Sequence, residues 1–372
     1  MLRPLTLVLC AAAICLAALP SYADISLSLQ QGQSGYTGCG DTYLDVEEYA
    51  ENFGSDPDLY TEDNSDAKDF VIRFDLTSVL PSGANVQSAS LGAYYYDDGG
   101  MVSSDYLKLG AYRLKVGWDE GTGGSGIGRT GASGHYCYAM PDVTTWDDDG
   151  ARGDDDRYDT NDDEVTVWGN VYGWATWQGT SITNTVKAWQ ASPSENFGWV
   201  VDVNYSNDET NRAEFHSSEY GSSSPDYAWR PKLDITYTLA PEADADGPYY
   251  VTPTESDLLD GTGSYDPDGE SIVSWLWDLD DDAEYDDASG STYEVTYDYL
   301  VNTLGLMPGQ VHDIGLKVID DEGEWETASS SIDLVPEPSV VLLLALGGVL
   351  LVGRRRMRVA PMILRHGRYQ HV

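Results

Sequence analysis

Asp278, Asp280, Asp282 and Asp286 stand at positions 1, 3, 5 and 9 of the stretch DLDDDAEYD, with Glu284 at position 7. Calcium takes six to eight hard oxygen ligands, and carboxylates at alternate positions of a tight loop, with one backbone carbonyl, supply them in that order. Calcium is therefore the cofactor this segment predicts. Two positions depart from such a loop. Ala283 stands where glycine makes the sharp turn, and Ser289 where a bidentate glutamate closes the site. The competing reading is a solvated acidic hairpin tip. SYDPDGE, with Asp266, Asp268 and Glu270, is a turn signal first and an oxygen cluster second. The run WDDDGARGDDDRYDTNDDE at 146–164 has many carboxylates and little patterning, which reads as a solvated loop.

Catalytic signals are sparse. Between the two termini the histidines are His135, His216 and His312, and neither H-E-x-x-H nor G-x-S-x-G occurs. GTGGSGIGRTG matches G-x-G-x-x-G twice, but a phosphate cradle needs a strand before it and a helix after it, and neither is predicted. A glycosidase pair of carboxylates cannot be recognised by counting in so acidic a chain. The expectation is a non-enzymatic protein, with a polysaccharide-active hydrolase as the weaker alternative. Binding chemistry is better represented by aromatics, on whose faces sugar rings stack. Tyr94, Tyr95 and Tyr96 must point to both faces of a strand. Trp168, Trp174, Trp177, Tyr220 and Trp229 are further candidates. The sequence does not select which of them form a binding face.

Charge narrows the partners. Residues 24–335 hold 13 Lys and Arg against 62 Asp and Glu. Such a surface repels nucleic acid and anionic polysaccharide and draws divalent cations. The elements that carry these residues read as strands. Phe70, Ile72, Phe74 and Leu76 alternate with Val71, Arg73 and Asp75, and Leu233, Ile235, Tyr237 and Leu239 with polar neighbours. Tyr112, Leu114 and Val116 do the same. Period-two patterning predicts half-buried strands with one face to water. One helix is predicted in SITNTVKAWQ, with Ile182, Val186 and Trp189 on one face and Ser181 or Thr183 as cap. TLAPEADADGPYY at 238–250 reads as a linker. Beyond it, Trp275 and Trp277 share a face, as do Ile314, Leu316 and Val318.

The termini point outward. Arg3, the apolar run from Leu5 to Leu19 and Ser21-Tyr22-Ala23 read as a secretory signal peptide at 1–23, cut after Ala23. Export would allow a disulfide between Cys39 and Cys137, although sequence alone does not place them side by side. At the other end, Ser339 to Gly353 forms an apolar run of 15 residues. As a helix it spans about 22 Å, short of a bilayer core of about 30 Å. Arg354, Arg355, Arg356 and Arg358 would hold its end in the cytoplasm, and 359–372 forms a basic tail.

Three family resemblances organise these pieces. ADADGPYY, LDGTGSYDPDGESIVSWLWDLDDD and DIGLKVIDDEGEWETASSSIDLV make residues 240–334 resemble a PKD domain, which implies an immunoglobulin-like β-sandwich with Trp277 in its core. DTYLDVEEY, NFGSDPDLY, FVIRFDL, ASLGAY, GWDEGT, TNTVKAWQASPSENFGWVV, FHSSEY and RPKLDITY make residues 24–239 resemble a DNRLRE domain, a jelly-roll-like β-sandwich grouped with carbohydrate-binding modules. An acidic insertion at about 123–180 interrupts that resemblance. Pro336, Glu337 and Pro338, a short apolar span and the arginines resemble a PEP-CTERM sorting segment at 335–358, with a transmembrane helix at 339–353. That resemblance implies an exosortase-type sorting enzyme as partner, a transient membrane stage and a departure in the extra tail. The fold expected is all-β, two sandwiches plus one short C-terminal helix. The function expected is an exported surface protein that binds polysaccharide or cell-surface glycan, or else a purely structural spacer.

Overall fold

The computed structural model describes residues 24–336 other than 49, 63–66, 124–129, 139–143 and 222–225. Ala23, Glu337, Pro338, Arg354, Arg355 and Arg356 lie outside the described residues, as do the signal peptide, the helix expected at 339–353 and most of the glycine-rich loop. Among the described residues no helix is long and apolar enough to cross a membrane. Two units are present, the first through Ala240 together with Asp268–Glu270, the second made of Pro241–Pro267 and the residues from Ser271 on.

The first unit carries β1 (Ile25–Gln30), β2 (Cys39–Asp45), β3 (Asp58–Glu62), β4 (Lys68–Phe74), β5 (Asn85–Asp97), β6 (Tyr106–Arg113), β7 (Tyr136–Tyr138), β8 (Thr144–Thr145), β9 (Asp163–Trp168) and β10 (Gly173–Gln178). Then follow α1 (Thr180–Ala191), β11 (Trp199–Ser206), β12 (Arg212–His216) and β13 (Lys232–Thr238). Hydrogen bonds join the strands in the order β1-β13-β5-β12-β3-β4-β11-β6-β9, with β10 added to β5 and β2 to β4. The predicted alternation is realised where it was clearest. Phe70, Ile72, Phe74, Leu233 and Ile235 enter one core with Leu91, Tyr95, Trp177, Leu109 and Trp199. The helix lies where its spacing put it, and Ile182, Val186 and Trp189 are buried against that core. Its cap differs from expectation: Gly179 starts the helix at φ +103, without a side-chain cap. Thr183 instead donates its hydroxyl back to the Gly179 carbonyl and accepts the Ala89 N–H.

The expectation that each strand shows one face to water fails at the middle of the sheet. Val71 on β4, Leu44 on β2 and Val200 on β11 are fully buried on the opposite face. They form a second cluster with Leu114, Trp118, Ala132, Cys137, Trp146 and Ala151. The acidic insertion supplies the last four of these. Its run is thus folded and not merely solvated. Asp156 is buried and accepts the N–H groups of Asp147, Asp148 and Gly153. Arg152 makes a two-pronged pair with buried Asp69, at 2.8 and 3.0 Å, and Arg157 pairs with Asp202 at 2.8 Å. These pairs neutralise charge where the insertion meets the sheet, which lets an acidic segment cover an apolar face.

The expected disulfide is not formed. Cys39 belongs to the main core and Cys137 to the second cluster, and both are free thiols. Cys137 donates to the Thr144 carbonyl, and burial pushes both thiols above their ordinary value.

The second unit carries β14 (Tyr249–Val251), β15 (Asp257–Asp260), β16 (Ile272–Asp278), β17 (Ala288–Ser289), β18 (Thr292–Val295), β19 (Gln310–Asp320) and β20 (Trp325–Leu334). A sheet ordered β14-β20-β19-β16-β17 and the pair β15-β18 enclose one core in a β-sandwich. Trp277 is fully buried at its centre with Leu259, Val295, Ile314, Leu316, Val318 and Ile332, while Trp275 packs at its edge. The predicted linker is shorter than expected. Glu242 and Tyr265 exchange backbone hydrogen bonds, and Ala245 and Tyr249 are core residues, so most of 242–250 belongs to the sandwich.

Candidate functional site

Strand alternation sorts the three tyrosines of β5. Tyr95 turns into the core, and Tyr94 and Tyr96 turn to the other face, both partly exposed. β10 runs antiparallel beside β5 and sets Trp174 directly opposite Tyr94, with ring centres 5.5 Å apart and edge to face. Trp229 leans over Tyr94 at 4.3 Å. On the other side β12 brings His216 against Tyr96 at 4.1 Å, and Tyr220 covers the imidazole at 3.5 Å, the three rings nearly parallel. Trp174 is 37% exposed and Trp229 40%. Six rings from three strands and one loop therefore form a continuous patch on one face of the first unit.

Polar groups frame this patch. Lys232 lies 4.8 Å from the Trp174 ring and pairs with Asp234. Glu214 accepts the Tyr96 hydroxyl at 3.1 Å and is paired with Arg212, which also lies over Tyr60. Burial lowers the His216 pKa, with Asp58, 3.8 Å away, acting weakly in the opposite sense. The imidazole is thus a neutral ring in the stack at neutral pH. Partly exposed rings with donors and acceptors at their rim can stack a flat, C–H-lined ligand and read its hydroxyls.

Of the sequence candidates, Tyr94, Tyr96, Trp174, Tyr220 and Trp229 come together here. Tyr95 and Trp177 are core residues, and Trp177 donates its indole N–H to the Leu109 carbonyl. Trp168 sits elsewhere, 4.8 Å from Tyr106, in a smaller group with exposed Tyr205. The sequence did not single out His216 as a member of this ring cluster. The position two after Glu214 on the same strand was its signal, but nothing local showed that two tyrosines would close over it.

In the second unit, the carboxylates of Asp278, Asp280 and Asp282 each bring an oxygen within 4.8 Å of the others. Asp278 is buried and organises the loop, accepting the N–H groups of Asp281, Asp282 and Ala283. Ala283 adopts φ +71, the left-handed conformation that a glycine takes at such a turn. The turn is therefore made here with alanine in place of the glycine such loops favour. Burial raises the Asp280 carboxyl, and Asp287, Asp282 and Asp278 raise it further. Glu284 and Asp286 are exposed and stand outside the group of three, and Asp287 is the residue that turns back to the loop, accepting the Leu279 N–H at 2.6 Å. At the other end of β16, where Ile272 pairs with Asp320, Asp266 and buried Asp320 also bring carboxylate oxygens within 4.8 Å of each other, and Asp320 closes the β19–β20 turn through the N–H groups of Glu322 and Glu324.

No protein-family model matches the chain, and no curated protein does. Among solved structures it is similar to the PKD domain from KIAA 1837 protein, at 25% identity over 26% of this chain and 88% of that one, with a TM-score of 0.19. It is also similar to the PKD1 domain of Vibrio anguillarum Epp, at 18% identity over 26% of this chain and 98% of that one, TM-score 0.19. The PKD1 domain from the Vibrio cholerae metalloprotease PrtV gives 21% identity over 26% and 91%, TM-score 0.17. These likenesses to PKD domains extend over about a quarter of the chain. The DNRLRE and PEP-CTERM resemblances are not shown by these comparisons.

Proposed function

We propose that this chain is an exported, non-enzymatic surface protein whose first unit binds a neutral polysaccharide or cell-surface glycan across the Tyr94–Trp174–Trp229 patch. The observation that carries this reading is the aromatic face itself, with two tryptophans more than a third exposed and a rim of Arg212, Lys232, Glu214 and Asp234. Neutral glycans suit it because 62 acidic residues between the termini repel anionic polymers. Export and transient membrane attachment rest on the terminal segments, with an exosortase-type enzyme as the processing partner. Calcium at Asp278, Asp280 and Asp282 is the cofactor that suits the second unit, where three carboxylates converge on a turn already formed.

The test is affinity electrophoresis of the purified chain through gels of neutral and acidic polysaccharides, with and without calcium, beside Trp174→Ala. One lost tryptophan platform should weaken retention about tenfold or more, since buried tryptophans are the commonest binding hot spots and about 1.4 kcal/mol is tenfold. Equal retention of variant and parent would place binding elsewhere, and no retention by any polysaccharide would refute the reading. A spacer role is the second reading, favoured by the acidic loops of the second unit. It expects no glycan retention and a calcium-dependent melting temperature.

A further inference from the structure

Three acidic residues far apart in the sequence meet inside the first unit. Asp41 lies on β2, Glu120 in the segment after β6, and Glu219 just after β12, and each offers a carboxylate oxygen within 4.8 Å of the others. Asp41 is 1% exposed. Its Oδ2 accepts the Ser218 N–H at 2.9 Å, while its Oδ1 is buried without a hydrogen-bond partner. An unpaired buried carboxylate oxygen is costly, and native interiors rarely keep one without a counter-charge. Here the neighbours make it worse. Glu120 accepts the Asp41 N–H at 2.9 Å, and Glu219 accepts the Ser218 hydroxyl at 2.9 and 3.0 Å.

Nearby cations are otherwise engaged. Arg230 gives its guanidinium to the carbonyls of Tyr220, Gln31 and Gly221. Among the described residues no ion pair reaches any of the three acids. The Cys39 sulfur lies 3.9 Å from Asp41 Oδ2 but does not join the group of three, so the converging donor atoms are oxygen alone. A cleft of about 380 Å³ lined by Gly38, Gly40, Arg73, Asp119 and Glu120 opens beside the group and admits water.

We propose that Asp41, Glu120 and Glu219 form a divalent-cation site, occupied by calcium, that ties β2 to the segments after β6 and β12. Three carboxylates give three to six oxygens, and water from the cleft completes the six to eight that calcium takes. Carboxylate and water oxygens without nitrogen or thiolate suit calcium over zinc or copper. Its three ligands belong neither to the acidic loop of the second unit nor to the aromatic patch, although Glu219 immediately precedes Tyr220 of that patch.

The test strips the full chain with chelator and titrates it with calcium chloride, counting bound ions by equilibrium dialysis. Asp41→Asn should bind one ion fewer than the parent, and Glu120→Gln, on a half-buried and more tolerant residue, should lose the same ion. Melting separates a cation site from a merely structural carboxylate. Without calcium, Asp41→Asn should melt as high as the parent or higher, because a buried unpaired charge is gone. With calcium, only the parent should gain, as a ligand that binds the native state alone requires. Variants that bind as many ions as the parent, or a parent whose first unit melts at the same temperature with and without calcium, would overturn the proposal. Equal gains from magnesium would overturn the assignment to calcium.

Discussion

Replacing Arg152 by methionine should cut deeply into the first unit, because buried Asp69 would lose its counter-charge. The Asp69 side chain has no solvent exposure, and Arg152 reaches both of its oxygens. Asp202 stands alongside and shares Arg152 at 3.5 Å. Breaking a buried pair by removing one partner costs about 3–5 kcal/mol, since the other charge stays buried. In a unit of roughly 200 residues, about 1 kcal/mol moves the melting temperature by 2–4 °C, so the drop should be about 6–20 °C. The double variant Asp69→Asn with Arg152→Met should recover much of it, because the orphaned charge is gone.

The pH dependence has a definite sign. Burial, then Asp202, raise the Asp69 carboxyl well above its ordinary value, and Arg152 opposes them. Without Arg152 the native state holds that proton more tightly than the unfolded state does. Stability is then lost as pH rises from the ordinary aspartate range through the raised native value. The deficit of Arg152→Met relative to the parent should therefore be smaller at pH 5 than at pH 8. Differential scanning calorimetry at both values measures it. A deficit under about 1 kcal/mol, or one that is larger at pH 5, would refute the claim that this pair pins the insertion to the sheet.

Other outcomes follow from the same structure. In the native chain from residue 24 on, Ellman's reagent should find no reactive thiol, and two after denaturation without reductant, because Cys39 is 6% exposed, Cys137 2%, and neither is bridged; none after denaturation would mean a disulfide. Ala283→Gly should raise the urea midpoint of the second unit by the equivalent of about 0.5–1 kcal/mol, since an alanine at φ +71 is strained; an unchanged or lower midpoint would show the turn relaxing in solution.

Much of the fold was legible because it is written locally. Alternation at Phe70, Ile72 and Phe74, and at Leu233, Ile235 and Tyr237, needs only neighbouring residues to specify a strand and its inner face. The helix face through Ile182, Val186 and Trp189 is equally local. Burial of Val71 and Val200 was not legible, because it depends on Trp146 and Ala151 arriving from a segment whose charge resembles that of a solvated loop. The arginines at 152 and 157 were the clue, two cations set among aspartates to meet Asp69 and Asp202. The same division holds for the sites. Spacing along one loop revealed Asp278, Asp280 and Asp282. The meeting of Asp41 with Glu120 and Glu219 arises from chain reversals that no spacing encodes. Tyr94 and Tyr96 could be assigned to one face of a strand, but their partners Trp174, His216 and Trp229 come from other strands and a turn.

The basic residues of this chain are few, and several of them face inward. Arg152, Arg157 and Arg230 are 29%, 15% and 8% exposed in side chain or residue, held by aspartates or by backbone carbonyls. Solvent therefore meets a coat more uniformly anionic than the sequence count implies. Copies of this chain crowded side by side would hold one another apart across about one Debye length, near 8 Å at physiological salt. Their spacing becomes a property of the medium, wide in dilute water, tighter in brine, and tightest where multivalent counter-ions condense between neighbours.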